Sequence, residues 1–325
     1  MNPRKSAPSA SIRIDPANIL LTSSTSEAYS YLFRLLCNPG DSVLVPKPSY
    51  PLFEFLAQLH DIALQPYRLN YDGEWHVDLD SFRTAITPQT RAIILLHPNN
   101  PTGSFIGSHE RETINEFAAS RKLPLIVDEV FHFYSFDNNA PASFTSNREV
   151  LTFTLNGISK LFGLPQMKLA WTVLSGPEQL VAESRKKLEI IADTFLSVNI
   201  PVQNALPSYF DHLTERTDQI RRRVKENYSK LQSLAGGSIM TVLHCDGGWS
   251  AILRLPSIQS DEMWAMQLLD RCGILVHPGH LFGFENTLHL VISLLPPPEL
   301  FQSALQNIRD YVEKGFPVDE KGFIH

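Results

Sequence analysis

The sequence predicts an α/β protein: a large domain with a mostly parallel central sheet, followed by a smaller α+β C-terminal domain. Three observations carry this. Short apolar runs of strand length alternate with helix-like stretches as far as about residue 174. Polar residues of unlike chemistry directly follow three of those runs. Beyond Gly236-Gly237 the pattern changes to shorter strands and two helices. Apolar runs this short, separated by helices, suggest a mostly parallel sheet covered on both faces. The expected division is residues 1–220, with 1–11 loosely held, and residues 221–325.

Taken in order, the ordered chain is expected to begin near Ile12. Ser26 to Leu36 reads as a helix with Tyr29, Leu32, Phe33 and Leu36 on one stripe, stopped by Pro39-Gly40-Asp41. Val43 to Val45, Ala92 to Leu96, Leu125 to Val127, Leu151 to Leu155 and Ala170 to Leu174 are the strand runs. Glu178 to Ile191 is a helix. Gln203 to Leu234 reads as one long connecting helix, with Arg221-Arg222-Arg223 on a solvated face. Strands at Thr241 to His244, Trp249 to Leu255, Ile274 to His277 and Leu288 to Leu294, with helices at Asp261 to Arg271 and Glu299 to Glu313, make the smaller domain.

Composition narrows the function. With 325 residues, 43% hydrophobic and 19% charged, the chain has ordinary globular character. Its net charge of −6 gives no whole-chain attraction to nucleic acid or an anionic membrane, so small molecules are the expected partners. Cys37, Cys245 and Cys272 are widely spaced and odd in number, which suits a reducing compartment. No signal-peptide pattern and no bilayer-length apolar stretch is seen, so a cytoplasmic location is expected.

Ligands of open α/β sheets bind beyond the carboxyl ends of the strands. There, Ala92 to Leu96 leads into His97-Pro98-Asn99-Asn100-Pro101-Thr102-Gly103, Leu125 to Val127 into Asp128-Glu129, and Leu151 to Leu155 towards Ser159-Lys160. Asn100, Asp128 and Lys160 are 28 and 32 residues apart, about one strand-helix unit each. An amide, a carboxylate and an amine can therefore meet at one rim. Pyridoxal 5'-phosphate (PLP) needs that set: an amine for its aldehyde, a carboxylate to keep its pyridine nitrogen protonated, and a donor to its ring hydroxyl. Thr22 to Ser26 opens the first helix, where free N–H groups favour a phosphate. Simpler readings stand beside these: Asn100-Pro101-Thr102-Gly103 is a good turn, Ser24 and Thr25 are good helix caps, and Tyr50 could pack under a loop.

In this order and spacing, Asn-Pro-Thr-Gly, the Asp after an apolar strand and Ser-Lys resemble the fold-type I aminotransferases of class I and II, the aspartate-aminotransferase kind. Pro39-Gly40-Asp41, Pro48-Ser49-Tyr50-Pro51, Gly247-Gly248-Trp249 and Pro278-Gly279 extend the resemblance over nearly the whole chain. It implies a homodimeric transaminase that takes an amino donor and a keto-acid acceptor. Lys160 would carry PLP as a Schiff base and shuttle a proton, and Asp128 would pair with the ring nitrogen. Asn100 would donate to the ring hydroxyl and Tyr50 stack on the ring. Ser24, Thr25, Ser159 and Lys168 would hold the phosphate. Ser197-Val198-Asn199 and Gln203 match a segment that approaches the neighbouring subunit's site.

The sequence departs from the family pattern at four residues and in one segment. Lys168 stands where an arginine is usual, Phe131 where a tyrosine is, and Gly157 where a phosphate-binding serine is. Val291 aligns with the arginine that pairs the substrate carboxylate, which leaves His277, His280, His289 or Arg254 as alternative cations. The family's N-terminal segment has no counterpart, so contacts made by that segment are expected to be missing. Two other outcomes of the same constellation are β-elimination, as in carbon–sulfur lysis, and a non-catalytic PLP-binding relative.

Overall fold

The alternation of apolar strand runs and helices builds a layered α/β body, seen in a computed structural model that describes residues 13–137, 140–196, 198–285 and 288–314. The segment 1–11 and Ser197 lie outside the described residues. The large part runs β1 (Ile19–Thr22), α1 (Thr25–Leu36), β2 (Ser42–Lys47), α2 (Leu52–Gln58), β3 (Ala63–Tyr71), β4 (Trp75–Val77), α3 (Leu79–Thr84), β5 (Thr90–Leu96), α4 (Ser108–Arg121), β6 (Leu125–Asp128), β7 (Thr152–Gly157), α5 (Ile158–Leu161), β8 (Ala170–Ser175) and α6 (Glu178–Asp193). Then follow α7 (Ile200–Asp211), α8 (Leu213–Ala235), β9 (Thr241–Val242), β10 (Ser250–Arg254), α9 (Asp261–Cys272), β11 (His277–Pro278), β12 (His289–Ser293) and α10 (Pro298–Lys314).

The large sheet has the order β1-β8-β7-β6-β5-β2-β3-β4. Its central strands β7, β6, β5, β2 and β3 are mutually parallel, while β8 and β4 pair antiparallel with their neighbours. Strand β5 shows why such runs are mainly apolar. Ala92, Ile94 and Leu96 enter the core under α1 and α6, whereas Ile93 and Leu95 enter the one under α3 and α4. Side chains that alternate between two buried faces favour apolar residues along the strand, and β7 and β8 of the same sheet admit buried threonines (Thr152, Thr154 and Thr172) among theirs. The parallel arrangement therefore sends Leu96, Asp128 and Gly157 to one edge of the sheet, with the polar residues just beyond them.

The small sheet, β11-β12-β10-β9, is antiparallel. One face packs Leu253, Leu290 and Ile292 against Val224 and Leu231 of α8, Trp264 and Leu268 of α9, and Phe301 and Leu305 of α10. The other face meets the β3–β4 hairpin of the large sheet: Leu243, Ile252, Phe284 and Val291 pack with Tyr71 and Trp75.

Two expectations need correction. The long helix expected from Gln203 to Leu234 is two helices, parted at His212, whose φ of −105° and ψ of 13° are not helical. Pro207 lies inside α7, and a residue without an N–H weakens the helix that leads into the break. The strand expected at Ile274 to His277 lies instead at His277–Pro278, and the one expected at Thr241 to His244 shortens to Thr241–Val242. In Arg221-Arg222-Arg223, Arg222 and Arg223 are exposed and Arg221 pairs with Asp218, as a solvated face requires.

Candidate active site

A cavity of about 230 Å³ opens at the carboxyl edge of the large sheet, and Ser24, Thr25, Tyr50, Asn100, Asp128, Ser159, Lys160 and Lys168 all line it. Asp128 ends β6. Its Oδ2 accepts a hydrogen bond from Tyr29 Oη at 3.2 Å and its Oδ1 one from the Val130 N–H at 3.1 Å. Burial pushes the Asp128 carboxyl up to about 6, against the pull of those two donors and of the Lys160 charge. Burial also holds the Lys160 amine below the ordinary lysine range, opposed by the Asp128 charge. Lys160 Nζ lies 5.8 Å from the Phe131 ring centroid and 5.5 Å from that of Trp249. Those two rings meet edge to face with centroids 5.3 Å apart and screen the amine from water.

The residues around the rim are placed by ordinary local rules. Ser24 caps α1: its Oγ accepts from the Glu27 N–H at 3.1 Å, and Glu27 Oε2 in turn accepts from the Ser23 N–H at 2.6 Å. The capping reading is thus correct, and the same helix start also faces the cavity. Ser159 sits in the short helix α5, and Lys168 follows the turn Pro165–Met167 in a left-handed conformation (φ 53°). In the Asn-Pro-Thr-Gly stretch the turn bonds belong to Asn99, which donates to the Pro48 carbonyl and accepts from Thr102 Oγ1 at 3.0 Å. Asn100 is left facing the cavity. Gly103, at φ +71°, has no room for a side chain, because a Cβ there would overlap Cys245 Sγ and Gly247 O.

The departures from the family pattern have local explanations. Phe131 packs on Trp249 and donates nothing. Gly157 pairs directly with Ala170 across β7 and β8, and a Cβ on it would come within 2.9 Å of the Ala170 Cβ. Val291 is 2% exposed in the apolar cluster of Leu243, Ile252 and Phe284, so no carboxylate can be paired there. None of the four alternative cations lines the cavity described above. His280 contacts Asp261 at 3.2 Å, His277 packs near Phe282, and His289 stacks on Phe284. Arg254, paired with His289 across the same sheet face as Val291, lines a separate groove with Lys47 and Arg68. Gln203 donates to the Val198 carbonyl at 2.6 Å and is not among the cavity residues. Tyr29 was hidden in the sequence: the helical stripe marks it as apolar core, and only the need of a buried hydroxyl for an acceptor signals its role at Asp128.

Comparison with known proteins agrees with this geometry. Residues 5–308 match the family described as aminotransferase class I and II, and the chain belongs to that family. Over 190 residues it is 32% identical to glutamate-pyruvate aminotransferase AlaA of Escherichia coli (strain K12), an alignment covering 58% of this chain and 47% of that protein. The matched stretch thus spans about half the length of that relative. The Haemophilus influenzae protein of the same name is 25% identical over 305 residues, covering 91% of this chain and 75% of its own length. Alanine aminotransferase from Pyrococcus furiosus superposes with a TM-score of 0.87 at 24% identity, covering 93% of this chain and 78% of that one. That likeness supports the fold-type I architecture expected of the sequence.

The cofactor of the family is PLP, and the donor set fits it. The cavity holds a partly desolvated amine, a carboxylate from the strand next to the one that leads into the lysine's helix, an amide, and a helix start with hydroxyls and a lysine for an anion.

Proposed function

We propose that the chain is a PLP-dependent transaminase that moves an amino group between an amino acid or amine and a keto acid, with Lys160 as the residue that binds the cofactor covalently. The convergence of Lys160, Asp128 and Asn100 on one cavity carries the proposal. Asp128 would hold the proton on the pyridine nitrogen, and Tyr29 would fix the carboxylate. Asn100 would donate to the ring hydroxyl and Tyr50 would cover the ring. Ser24, Thr25, Ser159 and Lys168 would take the phosphate, with a lysine's point charge in place of an arginine fork. When bound, PLP supplies an electron sink for the substrate's α-carbon. Lys160 Nζ, whose ammonium form burial disfavours, would take the α-proton and return it, with Phe131 and Trp249 packed beside the amine.

Alanine and tyrosine aminotransferases among the relatives make L-alanine, L-glutamate and L-tyrosine the first donors to test. A homodimer in the cytoplasm is the expected form. The family supports the dimer, and the three free cysteines suit a reducing compartment. The domain division is placed at residues 220 and 221, within α8.

The test is the visible spectrum of the purified protein with added PLP, beside Lys160→Ala, followed by addition of each donor. The expected result is a lysine-dependent band that a donor converts to the amine form of the cofactor without loss of that form over time. A band unchanged in Lys160→Ala overturns the lysine assignment. Return of the aldehyde form with release of a keto acid would instead mark an eliminating enzyme.

A further inference from the structure

Strand β6 alternates its side chains across the sheet, so Asp128 faces the cofactor cavity and Glu129 turns to a different one. Glu129 is 3% exposed. It meets fully buried His97, from the end of β5, and His132, just beyond β6. One carboxylate oxygen and one ring nitrogen from each histidine lie within 4.8 Å of one another. His97 Nε2 and His132 Nδ1 are both buried without a hydrogen-bond partner. Beside a buried carboxylate, two ring nitrogens whose backbone contacts, to Pro141 and Ala142 for His97 and to His97 for His132, do not reach hydrogen-bond geometry leave room for an occupant, because buried polar atoms are almost always satisfied.

The surroundings resemble the support of a metal ligand set. Ser143 Oγ donates to Glu129 Oε2 and the Phe144 N–H to Oε1, each at 2.7 Å, which fixes the carboxylate and leaves lone pairs free. Phe105 and Phe144 meet the His97 ring edge to face and form a dry wall. Glu129 and His132 also line a cavity of about 720 Å³, which gives an entry path.

We propose that His97, Glu129 and His132 form a second site, for one divalent transition-metal cation, with Zn²⁺ as the best match and one coordination position open to the larger cavity. Two imidazoles and a carboxylate suit zinc and its neighbours and are a poor set for Mg²⁺. Loading has an identifiable cost. His97 Nδ1 accepts the Ile106 N–H at 3.1 Å, so without a cation the ring proton sits on Nε2. Ligation through Nε2 shifts that proton to Nδ1 and releases the Ile106 amide. The Arg111 guanidinium, which lies over the Phe144 ring that packs on His97, also opposes a cation. Binding should therefore be reversible by chelators.

The test is Zn²⁺ titration of the chelator-treated full chain against a chromophoric chelator, without PLP, in wild type, Lys160→Ala, Glu129→Gln and His132→Ala, each checked for folding by circular dichroism. Wild type and Lys160→Ala are expected to take up one equivalent. The other two variants should bind at least ten-fold more weakly, and Mg²⁺ should not compete. Amide hydrogen exchange at Ile106 should speed up on loading. Absence of saturable uptake, which would leave a bridging water as the occupant, overturns the site. So does equal affinity in wild type and His132→Ala, a change at the cavity wall that tests the proposal even if Glu129→Gln fails to fold.

Discussion

At the scale of single residues, the chemistry turns on how Lys160 is charged. Burial disfavours its ammonium form and the Asp128 carboxylate favours it, and burial is the larger effect. A lysine whose folded pKa is depressed releases its proton at lower pH than in the unfolded chain. Its contribution to stability therefore increases as pH rises through the folded pKa towards the ordinary value of about 10.4. The same shift should show in reactivity. When the cofactor-free protein is treated with pyridoxal and borohydride across pH and Lys160 labelling is followed by mass spectrometry, half-maximal labelling is expected below the ordinary lysine range. Asp128→Asn removes the charge that favours the ammonium, so its curve should move lower still. An unchanged curve, or a shift to higher pH, would refute the assigned balance. Lys160, Asp128 and Asn100 are legible in the sequence because each follows an apolar strand, where polar residues have no packing reason to be. Tyr29 is not, since its ring obeys the helical stripe and only its hydroxyl breaks it.

At the scale of elements, the strands buried on both faces announce themselves, and the others do not. β2, β5, β6 and β8 contain apolar runs and β7 alternates Phe153 and Leu155 with threonines, whereas β3, with Gln65, Arg68 and Asn70 along it, is buried mainly at Tyr67 and carries no such signal. The two-residue strands of the small sheet are too short to show a period. The break at His212 follows Pro207 by five residues, a distance at which a proline is a poor guide to a boundary. Gly157 gives this scale its prediction. It is paired with Ala170 on the neighbouring strand, and any side chain would press on that residue's Cβ and Cα. Gly157→Ser, which restores a hydroxyl common in the family, should destabilise the fold by about 1–3 kcal/mol through overpacking, and PLP should bind no more tightly. Adding Ala170→Gly should recover much of the loss in urea unfolding, a non-additive result expected only if the two side chains collide. Simple additivity of the two losses would show that Gly157 is needed for another reason.

At the scale of the whole molecule, the two sheets are joined where the large sheet's β3–β4 hairpin lies against the open face of the small one. The departure at Val291 belongs to that joint. Its side chain is buried with Leu243, Ile252 and Phe284, and Tyr71 and Trp75 close over them from the hairpin. An arginine here would have to lose its hydration without an anionic partner among the residues of that cluster. Breaking or leaving unpaired a buried charge typically costs about 3–5 kcal/mol. Val291→Arg is therefore expected to lower the stability measured in urea by that order, and to give no gain in kcat/KM with simple α-amino acids. Val291→Leu, a larger apolar residue, should lose far less stability. The pair separates charge burial from a mere change of shape, because only the first makes arginine much worse than leucine. If Val291→Arg instead folds as stably as wild type and speeds turnover of an α-amino acid, the joint must yield enough to admit a carboxylate. Substrate recognition would then lie between the sheets, at the family's usual place, and not with a cation elsewhere.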